Sequence, residues 1–232
     1  MLEVRGLYAG YYRDLPILRG VSLKASARQI TAVLGANGVG KSTLLKTIFG
    51  LIRPEQGEIT LEGRSLVGVP PHRMIHLGVS YIPQDHGLFR EMTVEENLAM
   101  GAWPYRRDRR RVRAKLEENY ERFPALKAKR HQRAGQLSGG QQRMVEVGKA
   151  LMMDPKVILV DEPSAGLSKL LTEEVYQLLD QLRSEGIAIL LVDQDIRHAL
   201  QVADHVYVLE LGRNHFDAPA AELQDLERAF WV

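Results

Sequence analysis

Two stretches of this chain are apolar without interruption: "VILV" at residues 157–160 and "IAILLV" at residues 187–192. A strand with one wet face alternates apolar and polar side chains, whereas a strand apolar at every position is covered on both faces. That pattern belongs to a parallel sheet with helices on its two sides, and so to an α/β fold. The runs "LEVRGL", "ITAVLG", "EITLEG", "GVSYI" and "HVYVLELG" supply further strands. Helix-period segments lie between several of them. "KSTLLKTIFG" puts Leu44, Leu45, Ile48 and Phe49 on one face, and "LTEEVYQLLDQLRSEG" does the same with Val175, Leu178, Leu179 and Leu182. The more alternating runs near the N-terminus predict a separate antiparallel layer.

Residues 93–153 differ. "TVEENLAMGAW", "RRDRRRVRAKLEENYERF" and "GGQQRMVEVGKALMMD" read as helices, with no convincing strand among them. The expected organisation is one domain over residues 1–232. Its core is residues 1–90 and 154–232, and a helical insertion occupies approximately residues 91–153.

Composition removes several function classes. The chain has 232 residues and no cysteine, which excludes disulfides, thiol catalysis and thiolate metal sites. Its seven histidines show no metal-ligand spacing. The net charge is +2, and the basic run "RRDRRRVRAK" has no interleaved aromatics, so no nucleic-acid partner is expected. That run reads as a solvated helix face. No apolar run approaches the roughly 18 residues needed to span a bilayer. "MLEVRGLYAG" lacks the apolar core of a signal peptide.

"GANGVGKST", residues 35–43, follows the strand "ITAVL" and opens a helix, matching G-x-x-x-x-G-K-[ST] in the context that gives the pattern meaning. Gly35, Gly38 and Gly40 let the backbone curl so that its N–H groups point inward at phosphate oxygens, with Ala36, Asn37 and Val39 completing the loop. The helix start adds its positive dipole end. Lys41 can reach the β- and γ-phosphates, the Ser42 hydroxyl can hold Mg²⁺, and Thr43 follows in the first turn. "VILVDEP" ends a second buried strand in two carboxylates. Asp161 suits the outer coordination of the metal, and Glu162 could polarise an attacking water. In "LSGGQQR", residues 137–143, Ser138, Gly139 and Gly140 leave open N–H groups at another helix start. One chain therefore carries two anion-binding helix starts, which is economical if two subunits sit head to tail and each completes the other's site.

With these residues in place, the chain resembles the ATP-binding subunits of ABC transporters over essentially its whole length. "GANGVGKST" resembles the Walker A loop, "LSGGQ" (with Ser138, Gly139, Gly140 and Gln141) the signature motif, and "VILVDE" Walker B. The resemblance implies a P-loop NTPase fold that binds ATP and Mg²⁺. It places Gln84 of "YIPQD" at the Q-loop, with a part in nucleotide and metal binding, and Tyr11 of "AGYY" against adenine. "SAGLS" resembles the D-loop, with Ser168 where many members carry aspartate. "LVGVPPHRMIHLGVSYIP" and "LFREMTVEENLAMGA" are similar to the branched-chain amino acid importer branch. One of that branch's paired subunits carries glutamine at the switch-histidine position, which is Gln194 in "LLVDQD". The resemblance implies that Asp193, Gln194 and Asp195 end their strand where the γ-phosphate lies. The implied catalytic set is Glu162, Gln194 and Lys41. The implied partners are a second ATP-binding subunit, two transmembrane permease subunits and, indirectly, a periplasmic or extracellular solute-binding protein, at the cytoplasmic face of the membrane. A urea or amide importer subunit would share nearly all these motifs. A non-transport ABC ATPase usually has two cassettes or a long coiled-coil insertion, and this sequence shows neither.

Overall fold

The computed structural model describes residues 1–12, 14–85 and 87–223. The expected core segment therefore reaches past the described residues at 224–232. In chain order the elements begin with β1 (Leu2–Ala9), β2 (Leu18–Ala25), β3 (Ile30–Leu34), α1 (Lys41–Ile48), β4 (Gln56–Leu61) and β5 (Arg64–Ser65). Then come α2 (Pro71–Met74), β6 (Val79–Ile82), α3 (Val94–Gly101), α4 (Arg109–Arg122), α5 (Pro124–Ala128) and α6 (Gly139–Leu151). The chain continues through β7 (Val157–Asp161), α7 (Lys169–Ser184), β8 (Ala188–Val192), α8 (Ile196–Val202), β9 (His205–Glu210) and β10 (Arg213–Pro219).

The strands form two sheets. A six-stranded sheet runs β10-β9-β3-β8-β7-β6. It is parallel from β9 to β6, and β10 joins antiparallel at one edge. The second sheet, β2-β1-β4-β5, is antiparallel throughout. The antiparallel N-terminal layer is therefore as the alternating runs predict. The antiparallel edge at β10 is not, because "RNHFDAP" is polar and ends in proline. Proline lacks a donor and is tolerated at an edge.

The continuously apolar strands behave as their pattern requires. Val157, Leu159, Ala188, Leu190 and Val192 pack into one core with α1 and the antiparallel sheet. Ile158, Val160, Ile189 and Leu191 face the other way, into a core shared with α7, α8 and the helical segment. Val94 and Leu98 of α3, Tyr120 of α4 and Val145 of α6 belong to that second core. Among the described residues, 93–153 contain no strand and only one isolated bridge, Thr93 to Arg133. Parallel strands all end on the same side of their sheet, so β3, β7 and β8 deliver their C-terminal loops to a common edge.

Candidate active site

The loop after β3 is shaped by close approaches. A Cβ on Gly35 would lie 2.5 Å from the Leu209 carbonyl oxygen. Gly40, the N-cap of α1, has φ 110°, and a Cβ there would meet Leu18 Cδ2 at 2.8 Å. Any other residue at Gly40 would be strained and crowded at once. Ala36, Asn37 and Gly38 are exposed at the rim, Val39 packs inward on the core, and Thr43 is buried. No side chain caps α1, and its first turn holds no acid. Its free N–H groups and dipole are therefore left for an anion. Lys41 is buried and folds back on its own loop, donating from Nζ to the carbonyls of Gly35 (2.8 Å) and Ala36 (3.2 Å).

The β7 tip meets this loop directly. Ser42 Oγ donates to Asp161 Oδ1 at 2.9 Å, and the Tyr81 hydroxyl donates to Oδ2 at 2.9 Å. Burial beside the Asp161 carboxylate pushes the Tyr81 phenol far above its usual range, so it stays a donor. Glu162 sits next in left-handed backbone (φ 44°), a conformation that costs a non-glycine residue about 1–3 kcal/mol. Gln84 Nε2 donates to Glu162 Oε2 at 2.9 Å, and Lys41 Nζ stands 3.9 Å from Oε1. Burial raises the Glu162 carboxyl, with Lys41 opposing and the Asp193 and Asp161 charges adding to the rise. Lys41 and Gln84 thus meet at Glu162, while Ser42 meets the neighbouring Asp161.

The "LVDQD" tip divides its labour. Asp193 is fully buried and accepts from the Tyr176 hydroxyl (2.6 Å), Ser164 Oγ (3.3 Å) and the backbone N–H groups of Gln194 (2.7 Å) and Asp195 (2.9 Å). Asp195 caps α8 by accepting from the His198 N–H at 3.2 Å. Both flanking aspartates therefore build the turn, and the exposed Gln194 side chain is what the turn presents.

Ser138, Gly139, Gly140 and Gln141 stand at the start of α6. Ser138 and Gln141 form a capping box: each side chain accepts the other's backbone N–H. Gln141 Oε1 also accepts from Lys129 Nζ at 2.9 Å. The glycines are there for space. A Cβ on Gly139 would lie 2.9 Å from Leu167 Cδ2, and one on Gly140 would lie 2.5 Å from Leu171 Cδ2. Tyr11 lies beside α1, 54% exposed, its hydroxyl accepting from Lys46 Nζ at 3.3 Å; Tyr12 is more exposed still, at 74%.

The ABC transporter family profile matches residues 18–165. The high-affinity branched-chain amino acid transport ATP-binding protein BraG of Pseudomonas aeruginosa is 41% identical over 203 residues, 88% of this chain and 86% of that protein. A probable branched-chain amino acid transport ATP-binding protein, LivF of Archaeoglobus fulgidus, is 39% identical over 98% of this chain and 96% of its own length. The chain belongs to the ABC transporter family. It is an ATP-binding subunit and an ATPase. The solved structure of an ABC-transporter ATP-binding cassette in its ADP conformation superposes with a TM-score of 0.88 at 28% identity, covering 100% of this chain and 96% of that one.

Two residues of this ABC subunit escaped the motif reading. Tyr81 holds Asp161, and its signal was the β6 alternation, which turns Val79 and Tyr81 toward the same core as α1. Arg143, the last residue of "LSGGQQR", is buried and donates to the carbonyls of Pro83 (3.2 Å) and Gln84 (3.5 Å). Only the tertiary fold brings that pair together.

Proposed function

We propose that this subunit powers a branched-chain amino acid importer. ATP lies on residues 35–43 with its adenine against Tyr11, and a facing subunit's signature loop closes the site. The observation that carries the catalytic part is the cluster at the β3 and β7 tips, where a buried lysine, a hydroxyl–carboxylate pair and a second carboxylate converge on one helix start. The solute assignment rests on the two relatives above, whose names specify branched-chain amino acid transport.

Each residue has a task set by its surroundings. The N–H groups of residues 35–43 and Lys41 neutralise phosphate charge as it shifts toward the leaving oxygen, a matter of positioning and electrostatics. Ser42 and Asp161 offer hard oxygen donors in contact, and this donor set fits Mg²⁺, which keeps waters and takes few protein ligands. Ser42 and Asp161 would hold that ion, which would supply positive charge to offset that of the phosphates. Glu162 orients the attacking water and takes its proton, and its raised proton affinity suits a base working near neutral pH. Gln84 releases Glu162 to reach toward the nucleotide, and Gln194 donates to the γ-phosphate. The natural pair is a heterodimer with a second ATP-binding subunit, docked on two permease subunits at the cytoplasmic face of the membrane and served by a solute-binding protein outside it. Among the described residues no helix is long and apolar enough to cross a membrane, which accords with a peripheral subunit.

The test is ATP hydrolysis by the complete transporter in vesicles, with binding protein and candidate solutes supplied in turn. Stimulation by leucine, isoleucine or valine is expected. Stimulation by urea or short amides alone would overturn the solute assignment. A fully active transporter with two copies of this subunit and no other ATP-binding chain would overturn the heterodimer.

A further inference from the structure

α6 begins at the signature loop, and three of its side chains hold the loop that carries Gln84. Arg143 reaches the Pro83 and Gln84 carbonyls, and Lys149 Nζ donates to the Gly87 carbonyl. Between them Glu146 pairs with Arg143 at 2.6 Å, with Arg143 buried and Glu146 largely so. The loop backbone lies hard against this group, since a Cβ on Gly87 would be 2.4 Å from Glu146 Oε1. A buried ion pair adds little net stability, and its best-attested use is to fix a register. Here the register is that of Pro83, Gln84 and Gly87 on α6. At its other end the loop holds Glu162 through the Gln84 amide at 2.9 Å. α6 is a 13-residue helix in which Arg143 follows Ser138 by five residues, about 7 Å along the axis. A rigid shift of this helix would carry the loop's partners with it.

We propose that Arg143, Glu146 and Lys149 are positioning residues that join the signature end of α6 to Gln84, so that nucleotide held at Ser138 by the facing subunit frees Glu162 in the same chain. The inference rests on the proposed function above and deepens it. It makes the two ATP sites of the pair communicate through the interior of one subunit. Glu162 has two states: one oxygen taken by Gln84, or both free for water. Movement of α6 selects between them.

The experiment uses the assembled transporter and reads the ratio of solute-stimulated to basal kcat, with KM for ATP measured alongside. Arg143→Met should lower that ratio about 10-fold, the scale of one lost charged hydrogen bond, with KM little changed. Arg143→Lys should restore part of the ratio. In a Gln84→Ala background, Arg143→Met should have no further effect, because both act through one contact. Additive losses, or an unchanged ratio in Arg143→Met, would overturn the inference. Should Arg143→Met fail to assemble, Lys149→Met removes the Gly87 contact, together with the cation over the Phe89 ring, and is read the same way. Wild-type hydrolysis in Glu162→Gln would sink the catalytic reading itself. An inactive Glu162→Gln with additive Arg143 and Gln84 effects would sink only the coupling.

Discussion

The two helix starts that looked alike in sequence are built for different partners. α1 opens on a left-handed glycine with no side-chain cap, and its lysine is buried within its own loop. α6 opens on an exposed serine whose capping box already satisfies the helix end. The first leaves free N–H groups inside a walled site next to Asp161 and Glu162. The second is finished without a ligand, and its glycines serve the packing of Leu167 and Leu171. An anion at α1 meets a site preformed within one chain. At α6 the Ser138 hydroxyl is already engaged in its own cap, so the role proposed for it requires a facing subunit to bring the nucleotide. The two glycine-flanked helix starts thus differ in their capping, one left open and the other closed by its own side chains.

The sharpest way to break this contrast is to disable the preformed side. Glu162→Gln keeps the shape and removes the base, and general-base contributions run to about 10²–10⁴-fold. Hydrolysis should fall by that order while ATP binding persists and ATP holds the subunit pair together on gel filtration. Rapid turnover by a complex in which this site supplies the only base would contradict the assignment. Lys41→Ala should weaken ATP binding by about 10- to 150-fold, the range for one hydrogen bond to a charged group. Binding within a factor of two of wild type, measured by calorimetry, would mean the α1 site does not depend on its lysine.

The two sides also differ in how far they could be read from sequence. Strand, glycine loop and helix follow one another along the chain, so local pattern alone was enough to read the strand–loop–helix unit at residues 30–48 and the α/β class. The place of Asp161 at the sheet edge was equally legible, because it ends a wholly apolar strand. The Asp193 and Asp195 roles were not, since a carboxylate at a strand tip looks the same whether it faces a ligand or builds a turn. Tyr176, 17 residues upstream, decides the matter for Asp193 by donating to it inside the core. β10 was missed for a related reason. Its sequence is polar, and it is held by tertiary contacts such as the paired hydrogen bonds between Asn214 and Ser22.

Gln194 tests whether the γ-phosphate side needs a titrating group. Its amide has no proton to lose near neutrality, so kcat against pH should show one acid limb, that of Glu162. That base works when deprotonated. Its pKa is raised above the ordinary glutamate value, so activity is present above that raised pKa and falls as pH drops through it. Gln194→Ala should lower kcat about 10- to 150-fold with little change in KM, as for a hydrogen bond that strengthens in the transition state. Gln194→His should keep activity and add a second limb near pH 6.5. An unchanged kcat in the alanine variant would leave Gln194 as a surface amide.

The smallest effect probes the α6 side, where cap and ligand share one hydroxyl. Ser138→Ala removes both, at a cost of about 0.5–2 kcal/mol in stability for the lost cap, whereas Ser138→Gly costs only a few tenths because glycine is itself a tolerated N-cap. The glycine variant therefore separates the two roles. Its thermal midpoint should stay within about 1 °C of wild type, since 1 kcal/mol moves a domain of this size by only about 2–4 °C. Its ATP-dependent association with the partner subunit should nevertheless weaken as much as in the alanine variant, because both lack the hydroxyl that the facing nucleotide would meet. If glycine restores association along with stability, Ser138 acts only as a cap. The contribution of α6 to the facing site would then lie in its backbone N–H groups, and the contrast with α1 would narrow to which subunit supplies the phosphate.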